Sequence, residues 1–241
     1  MVKIENFNTG PKANPDVINI NLNPFENIKN KKKIKQLLKN IVESDSKDLE
    51  KNINNAYHPN AELKCFHPVN NISGIDEIYH KLWLPIKNSF TDLERRDCLV
   101  LGGSFQDKVF VSTISLLTGT YKNSWLGIPT NNKTIHLRMC EAHEIKDDKI
   151  IHSHILLDVI DFIRQAGFWP INKSNGAEGL WANSITGDGS IFENIDERLS
   201  KSSLEQALTM QRSLNIKPES DPNADHAYVK DKLINHPQKE F

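Results

Sequence analysis

The chain has few cysteines, no long apolar run and no excess of charge of either sign. Three of its 241 residues are cysteine, at positions 65, 98 and 140, and no two of them have C-x-x-C spacing. This pattern indicates neither a disulfide framework nor a structural zinc site. A membrane-spanning helix needs about 18 consecutive apolar residues, and no apolar stretch of this chain comes near that length. The Asn-rich N-terminal segment also lacks the apolar core of a signal peptide. We therefore expect a cytoplasmic protein that does not enter a membrane.

The charge balance argues against a polyanionic partner. Thirty Lys and Arg residues stand against 31 Asp and Glu, which gives a formal net charge of −1. A surface for nucleic acid or an anionic membrane needs a basic excess that this chain does not have. The basic run Lys31–Lys33 is typical of a solvated helix start. We expect neither nucleic acid nor a membrane as a partner.

The composition predicts one folded domain with an extension at each end. Residues 1–28 contain Asn, Pro and Gly without sustained periodicity, so we interpret them as an N-terminal arm. Residues 29–171 carry the hydrophobic patterning of a single core. Residues 172–241 begin with an Asn, Gly and Ser-rich linker and contain one helical pattern near their middle, so they predict a partly helical tail without a core of its own.

Within 29–171, helical patterns come first and strand patterns follow. Apolar residues recur at i, i+3 and i+4 before residue 43, again before residue 57, and again from Ile75 to Ile86, where Pro85 should kink or interrupt the helix. Alternating patterns then predict strands, and a short strand is expected at 61–66. Helices followed by antiparallel strands predict an α+β fold, with a curved antiparallel sheet wrapped on N-terminal helices.

The most informative segment is a predicted hairpin that begins at His136 and leads into a short helix. If Asp147 and Asp148 form its tip, opposite residues keep a constant sum of residue numbers, so His143 should face His152. Side chains alternate between the two faces of a strand. The face expected to line a pocket carries Leu137, Met139, Glu141, His143, His152, His154, Leu156 and Asp158. Arg138 should lie on the opposite face, and a bulged strand would change this register.

Several segments together resemble the SnoaL-like polyketide cyclase family of the nuclear transport factor 2-like superfamily. They are Tyr57–Ala61 (YHPNA), Gly74–Ile78 (GIDEI), Gly119–Tyr121 (GTY), Trp125–Pro129 (WLGIP), Lys149–Ile150, Asp158 and Arg164–Gly167 (RQAG). The resemblance covers about residues 30–170 and implies a cone-shaped α+β barrel. It also implies acid–base chemistry that needs no metal or organic cofactor.

In cyclases of this family an aspartate at the end of the last strand acts as general acid and base in an aldol ring closure. Asp158 matches that position, so the resemblance implies that Asp158 is catalytic. We expect His154, placed on the same strand face, to assist it. The alternative is structural, because Asp158 opens a helix and its carboxylate could simply cap backbone N–H groups.

The remaining candidate residues are expected to bind a hydrophobic, oxygenated small molecule. They are Glu141, His143, His152, Met139, Leu156, Trp83, Tyr79, Phe66 and Trp125. For the aromatic residues, an ordinary place in the core is the more common alternative. The two histidines of the H-x-H segment, with Glu141 and His143 opposite, also leave a two-histidine, one-carboxylate metal site open as a less favoured alternative.

These observations predict a cyclase, isomerase or dehydratase that works by proton transfer. We expect a homodimer formed through an exposed sheet face. A non-catalytic barrel that binds a metabolite or a protein is the alternative from a different functional class.

Overall fold

The computed structural model describes residues 24–105, 107–169, 172 and 196–214. The chain divides into two compact units, Met1–Glu193 and Asn194–Phe241. Most of the predicted arm and most of the predicted linker lie outside the described residues. The described part of the predicted arm, from Pro24, is already helical.

The first unit begins with a layer of helices whose apolar faces are buried. α1 spans Pro24–Glu43, α2 Leu49–Ala56, α3 Gly74–Glu77 and α4 Leu84–Ser89. The apolar stripe expected of α1 is buried, with Ile34, Leu38 and Ile41 fully enclosed. The basic run Lys31–Lys33 lies inside this helix rather than at its start.

A six-stranded sheet packs against these helices. Its strands are β1 (Tyr57–Lys64), β2 (Asn71–Ser73), β3 (Phe90–Phe105), β4 (Lys108–Tyr121), β5 (Thr134–Lys146) and β6 (Lys149–Leu157). The order is β2-β1-β6-β5-β4-β3, with β1 and β6 parallel and all other neighbours antiparallel. The curved, unclosed sheet with helices on its inner face confirms the predicted cone-shaped α+β fold. The parallel β1–β6 pair is the one departure from an all-antiparallel sheet among the described strands.

Pro85 does not interrupt the third helical segment. Residues Ile78–Trp83 form a π-helical turn between α3 and α4, and the Leu84 N–H bonds to the Tyr79 carbonyl, five residues back. Widening the turn ahead of Pro85 accommodates a residue that has no N–H of its own. The helix therefore continues to Ser89.

The tip of the β5–β6 hairpin is as predicted, but beyond Ile150 the strands pair in a register that differs from the predicted one. Asp147 and Asp148 both have positive φ, which matches a two-residue hairpin turn, and Ile145 lies opposite Ile150. Ile151 is then bulged out, so Glu144 pairs with His152 and the rest of β6 is displaced by one residue. The predicted pairing of His143 with His152 and of Glu141 with His154 is wrong, because one extra residue reverses the face of every later side chain.

A short helix follows β6, and one helix is described in the second unit. α5 spans Val159–Gln165, as predicted, and α6 spans Glu197–Leu214 and includes the helix expected in the tail. Among the described residues, no helix has both the length and the apolar character to cross a membrane.

Gly119 lets β3 and β4 approach closely beside a bulge in β3. A Cβ at Gly119 would lie 2.8 Å from the Thr91 carbonyl oxygen and 3.0 Å from Leu93 Cδ2. The backbone oxygen cannot rotate away, because it belongs to the bulged segment in which Asp92 has φ of +56°.

We expect Gly119→Ala to lower the free energy of unfolding by roughly 1–3 kcal/mol, through overpacking. Gly103→Ala is the matched control, since a Cβ there meets nothing within 4 Å. It should change stability by less than about 0.5 kcal/mol. Urea denaturation of the two variants measures the difference, and equal effects would contradict the close-approach explanation.

Candidate functional site

Arg95 is the centre of a buried polar cluster on the inner face of the sheet. Its Nη2 donates to Glu141 Oε2 at 2.5 Å and to Thr113 Oγ1 at 3.0 Å, and its Nε donates to Asp97 Oδ1 at 2.9 Å. Thr113 in turn donates to Glu141 Oε2 at 2.8 Å. The side chains of Arg95 and Glu141 are 0% exposed and that of Asp97 is 1% exposed. The cluster is therefore an ion-pair network removed from water.

Strand alternation explains how the sequence builds this cluster. β3 contributes Arg95 and Asp97, β4 contributes Thr113, and β5 contributes Glu141 and His143. Thr113 lies directly opposite Glu141 in the β4–β5 register, so the hydroxyl and the carboxylate meet on one face. Residues two apart on a strand point to the same side, which brings each pair into the interior together.

The two carboxyl groups of the cluster have pKa values displaced in opposite directions. Burial acts to raise the pKa of Glu141, but the Arg95 charge, His143 and hydrogen bonds from Arg95 and Thr113 outweigh it and hold that pKa below the usual value. For Asp97, burial dominates, Arg95 offsets it only in part and Glu141 adds repulsion, so the pKa is raised. The site thus combines a favoured carboxylate with a carboxyl group that holds its proton more readily.

His143 is a neutral imidazole in the same interior. Burial lowers its pKa to about 4, Glu141 opposes that change, and the Arg95 charge adds to it. Its Nδ1 lies 2.8 Å from Ser153 Oγ and its Nε2 lies 3.9 Å from Glu141 Oε1. The second distance is too long for a hydrogen bond, so the two atoms face one another without being joined.

Four buried polar atoms in this cluster make no hydrogen bond within the described part of the chain. They are Arg95 Nη1, Glu141 Oε1, His143 Nε2 and the Oγ of Ser115, a buried β4 residue that lies opposite Asp97. Buried polar atoms are normally paired, because an unpaired one costs about 1–3 kcal/mol. Because these unpaired polar atoms lie close together, the interior around Arg95 is suited to bind a polar group.

Tyr57 and Trp83 complete the interior from β1 and the π-helical turn. Both side chains are fully buried. Burial and then the Glu141 charge raise the pKa of Tyr57, while the Trp83 side chain partly offsets them. The Tyr57 hydroxyl therefore keeps its proton.

The structure brings only part of the predicted set together. Glu141, His143 and Met139 are buried on the inner face, as expected, and Trp83 lies in the same interior. His152, His154 and Leu156 lie on the opposite face because of the Ile151 bulge, and Leu156 is 66% exposed. The prediction that they share a face with Glu141 is wrong.

Asp158 lies outside this cluster and has two structural partners. Its Oδ1 accepts the Asp161 N–H at 2.9 Å, which caps α5, and its Oδ2 lies 2.8 Å from Arg138 Nη2. Arg138 also contacts Asp161 Oδ2 at 3.1 Å. These contacts match the alternative in which Asp158 is a structural residue, because its carboxylate caps α5 and pairs with Arg138.

The predicted aromatic residues divide between two places. Phe66 and Trp125 belong to a packed aromatic group with Phe90, Tyr121 and Phe162, in which ring centroids lie 4.9–6.1 Å apart. Trp125 is held there because its backbone N–H donates to the Tyr121 hydroxyl at 2.8 Å. Tyr79 instead is half-buried and packs edge-on against His80.

His152 and His154 line a groove of about 470 Å³ on the outer face. His152 Nδ1 lies 3.0 Å from Glu144 Oε2, and Lys108 Nζ lies 3.0 Å from the same oxygen. In the residues that the structure describes, no three His, Cys, Asp or Glu side chains are grouped to hold a metal ion. The alternative site that joined these histidines to Glu141 and His143 is not assembled, because the sheet lies between the two pairs.

Sequence reasoning missed Arg95, Asp97, Thr113 and Ser153. Arg95 and Asp97 have the two-residue spacing of a shared strand face, but a charged pair in a strand is ordinarily a solvated one. The neighbouring Arg96 has the same kind of sequence context, since it lies two residues from Glu94. Its side chain is nevertheless 70% exposed and pairs with Glu94. Only the position of β3 against the helices distinguishes the two arginines.

No protein-family model matches the chain, and no curated protein matches it. Several solved structures do resemble it. A candidate SnoaL-like polyketide cyclase from Jannaschia sp. CCS1 is 14% identical, with a TM-score of 0.47 over 58% of this chain and 95% of that one. AclR, a candidate hydroxylase from Streptomyces galilaeus, is 12% identical, with a TM-score of 0.48 over 79% and 99%. IdmH, a candidate polyketide cyclase from Streptomyces antibioticus, is 15% identical, with a TM-score of 0.46 over 56% and 98%.

These structural neighbours include candidate polyketide cyclases. At these identities each likeness is one of fold.

Arg95→Met should destabilise the protein by about 3–5 kcal/mol, because it leaves the buried Glu141 carboxylate without its cation. Arg96→Met is the matched control on the adjacent, solvent-facing position and should change stability by less than about 0.5 kcal/mol. Chemical denaturation of both variants measures the contrast.

Adding Glu141→Leu to Arg95→Met should recover part of the loss, since it removes an unpaired buried charge. Equal stability of the Arg95 and Arg96 variants would contradict the assignment of a desolvated ion pair.

Proposed function

We propose that the protein is an enzyme that catalyses proton transfer on a hydrophobic, oxygenated small molecule without a cofactor. Cyclisation, isomerisation and dehydration are the reactions of this class. The single observation that carries the proposal is the buried Arg95–Asp97–Glu141–His143 cluster on the inner face of the sheet. Buried ionisable groups with displaced pKa values are characteristic of acid–base sites.

The opposite displacement of two carboxyl pKa values supports separate acid and base roles. Glu141, whose pKa is lowered, is the candidate base that removes a proton from a carbon next to a carbonyl group. Asp97, whose pKa is raised, is the candidate acid that returns a proton. Arg95 lies between them and stabilises the negative charge that develops on the carbonyl oxygen.

The surroundings of the cluster suit a largely apolar substrate. Along β5 and β6 the same inner face carries apolar side chains beside Glu141 and Ser153. They are Leu137, Met139, Ile155 and Leu157, all buried. A polyketide-type aldol cyclisation is the particular reaction that the family resemblance suggests.

A non-catalytic binding module is the second candidate, and complete enclosure of the cluster favours it. The side chains of Arg95, Glu141 and His143 are 0% exposed. A barrel that closes around a ligand and keeps it needs the same donors and acceptors as an enzyme. Turnover, rather than binding, separates the two candidates.

Glu141→Gln should reduce turnover at least 100-fold, because it removes the proposed base while keeping the side-chain shape. Exchange of α-protons into D₂O, followed by NMR over a panel of linear di- and triketones, measures the proton-transfer step directly. Asp158→Asn is the comparison, since Asp158 is the base that the sequence resemblance favours. It should retain activity within a few-fold, because asparagine also caps helices.

Loss of exchange in Asp158→Asn with full exchange in Glu141→Gln would move the catalytic role to Asp158. Retention of a panel compound by the wild type in native mass spectrometry, without any exchange, would favour the binding module. Circular dichroism of each variant confirms that it is folded.

We also propose that the protein is a cytoplasmic homodimer that associates through the outer sheet face. Leu101 and Leu156 are 56% and 66% exposed there, and half-buried Ile114 and Leu116 lie on the same face. An apolar sheet face of this kind suits a second copy of the same face.

Leu156→Glu should convert the dimer to a monomer, because it places a charge in the apolar face. Sedimentation velocity of the full chain and of the variant measures the change in mass. A monomeric wild type at micromolar concentration would contradict the dimer.

A further inference from the structure

We propose that Ser153 positions His143 so that its ring carries the proton on Nε2 and donates a hydrogen bond into the interior beside Glu141. This inference rests on the proposed function, which places the reaction in the interior around Glu141. It makes His143 a donor to the substrate and Ser153 the positioning residue behind it.

The Ile151 bulge creates the contact between the two side chains. Because β6 is displaced by one residue, Ser153 rather than His152 lies opposite His143 on the inner face. The Ser153 hydroxyl lies 2.8 Å from His143 Nδ1, and both residues are at most 1% exposed. Nδ1 of His143 therefore lies within hydrogen-bond distance of the Ser153 hydroxyl, and Nε2 points towards Glu141 in the cluster.

Glu141 decides which ring nitrogen holds the proton. Its Oε2 accepts hydrogen bonds from Arg95 and Thr113, which keeps the group a carboxylate. Its other oxygen, Oε1, lies 3.9 Å from His143 Nε2. A lone pair on Nε2 would be repelled by that oxygen, whereas an N–H there is attracted to it. The proton therefore belongs on Nε2, and Ser153 donates its O–H to the bare Nδ1.

The His143 ring is neutral at physiological pH, so only one of its two nitrogens carries a proton. Burial lowers the pKa of His143 to about 4, and the Glu141 charge offsets that effect only in part. A neutral imidazole can polarise a carbonyl oxygen by donating from Nε2 without becoming charged. Glu141 Oε1 beside it is free to accept a proton, so the two atoms form an adjacent donor and acceptor.

The chain contains a matched hydroxyl–imidazole pair outside the cluster. Thr118 Oγ1 lies 2.9 Å from His136 Nδ1 on the solvent-exposed outer face. This pair has the same chemistry and almost the same distance, but no buried carboxylate is described as its partner. Thr118→Ala is therefore the control for Ser153→Ala.

The test uses full-length protein with ¹⁵N-labelled histidine and long-range ¹H–¹⁵N correlation spectra at pH 7. The expected result for His143 is a protonated Nε2 and an unprotonated, hydrogen-bonded Nδ1. In Ser153→Ala the Nδ1 resonance should move towards that of a free imine nitrogen and the ring signals should broaden. Ser153→Thr keeps a hydroxyl and should restore the wild-type pattern, and Thr118→Ala should leave the His143 signals unchanged.

The kinetic arm measures α-proton exchange in the same variants. Ser153→Ala should lower kcat about tenfold with little change in KM, as expected for a contact that matters in the transition state. Ser153→Thr should recover most of this loss. An unchanged kcat in Ser153→Ala, with the Nδ1 signal altered, would overturn the positioning role.

A proton on Nδ1 of wild-type His143 would overturn the tautomer assignment whatever the activity. This outcome differs from failure of the proposed function, which would appear as normal exchange in Glu141→Gln. The NMR measurement needs no substrate, so it decides the assignment of the ring even for a barrel that only binds.

Discussion

The guanidinium group of Arg95 is the feature on which the inner face of the sheet depends. It contacts the carboxylate of Glu141, the carboxyl group of Asp97 and the hydroxyl of Thr113, and all of these groups are shielded from water. Burying charges costs several kcal/mol per ion, so such a network persists only when its hydrogen bonds are well formed. The Arg95 backbone N–H also donates to Glu43 Oε1 at 3.0 Å, which ties the end of α1 to β3. The helices and the sheet are thus joined at the same residue that organises the cluster.

Two local irregularities give this interior its chemistry. The π-helical turn Ile78–Trp83 carries the buried Trp83, and the bulge at Ile151 turns Ser153 inwards and His152 outwards. Irregular turns and bulges often re-aim side chains near functional sites. Without the bulge, two more imidazoles would enter the interior, and a metal-binding arrangement would become feasible. With it, the described residues of the cluster include one neutral imidazole, two carboxyl groups and one arginine.

The carboxylate at the end of β6 illustrates how a family resemblance and a local structure can point to different roles. Asp158 occupies the position that the resemblance marks as catalytic, yet its two oxygens are engaged by the Asp161 N–H and by Arg138. In the buried cluster, the pKa of Asp97 is raised and that of Glu141 is lowered. Acid–base chemistry depends on burial and neighbouring charge, and neither follows from a position along the chain.

The sequence by itself determined several helices of this fold and its hairpin. Apolar periodicity located α1, α2 and α5, and Asp147 and Asp148 located the hairpin tip, because these signals arise from neighbours a few residues apart. It also placed Glu141 and His143 on one strand face. Tertiary structure decided the rest. The register of β6 depends on a single bulged residue, and the burial of Arg95 but not Arg96 depends on which side of β3 the helices cover. Both are contacts between distant segments, which a local pattern cannot encode.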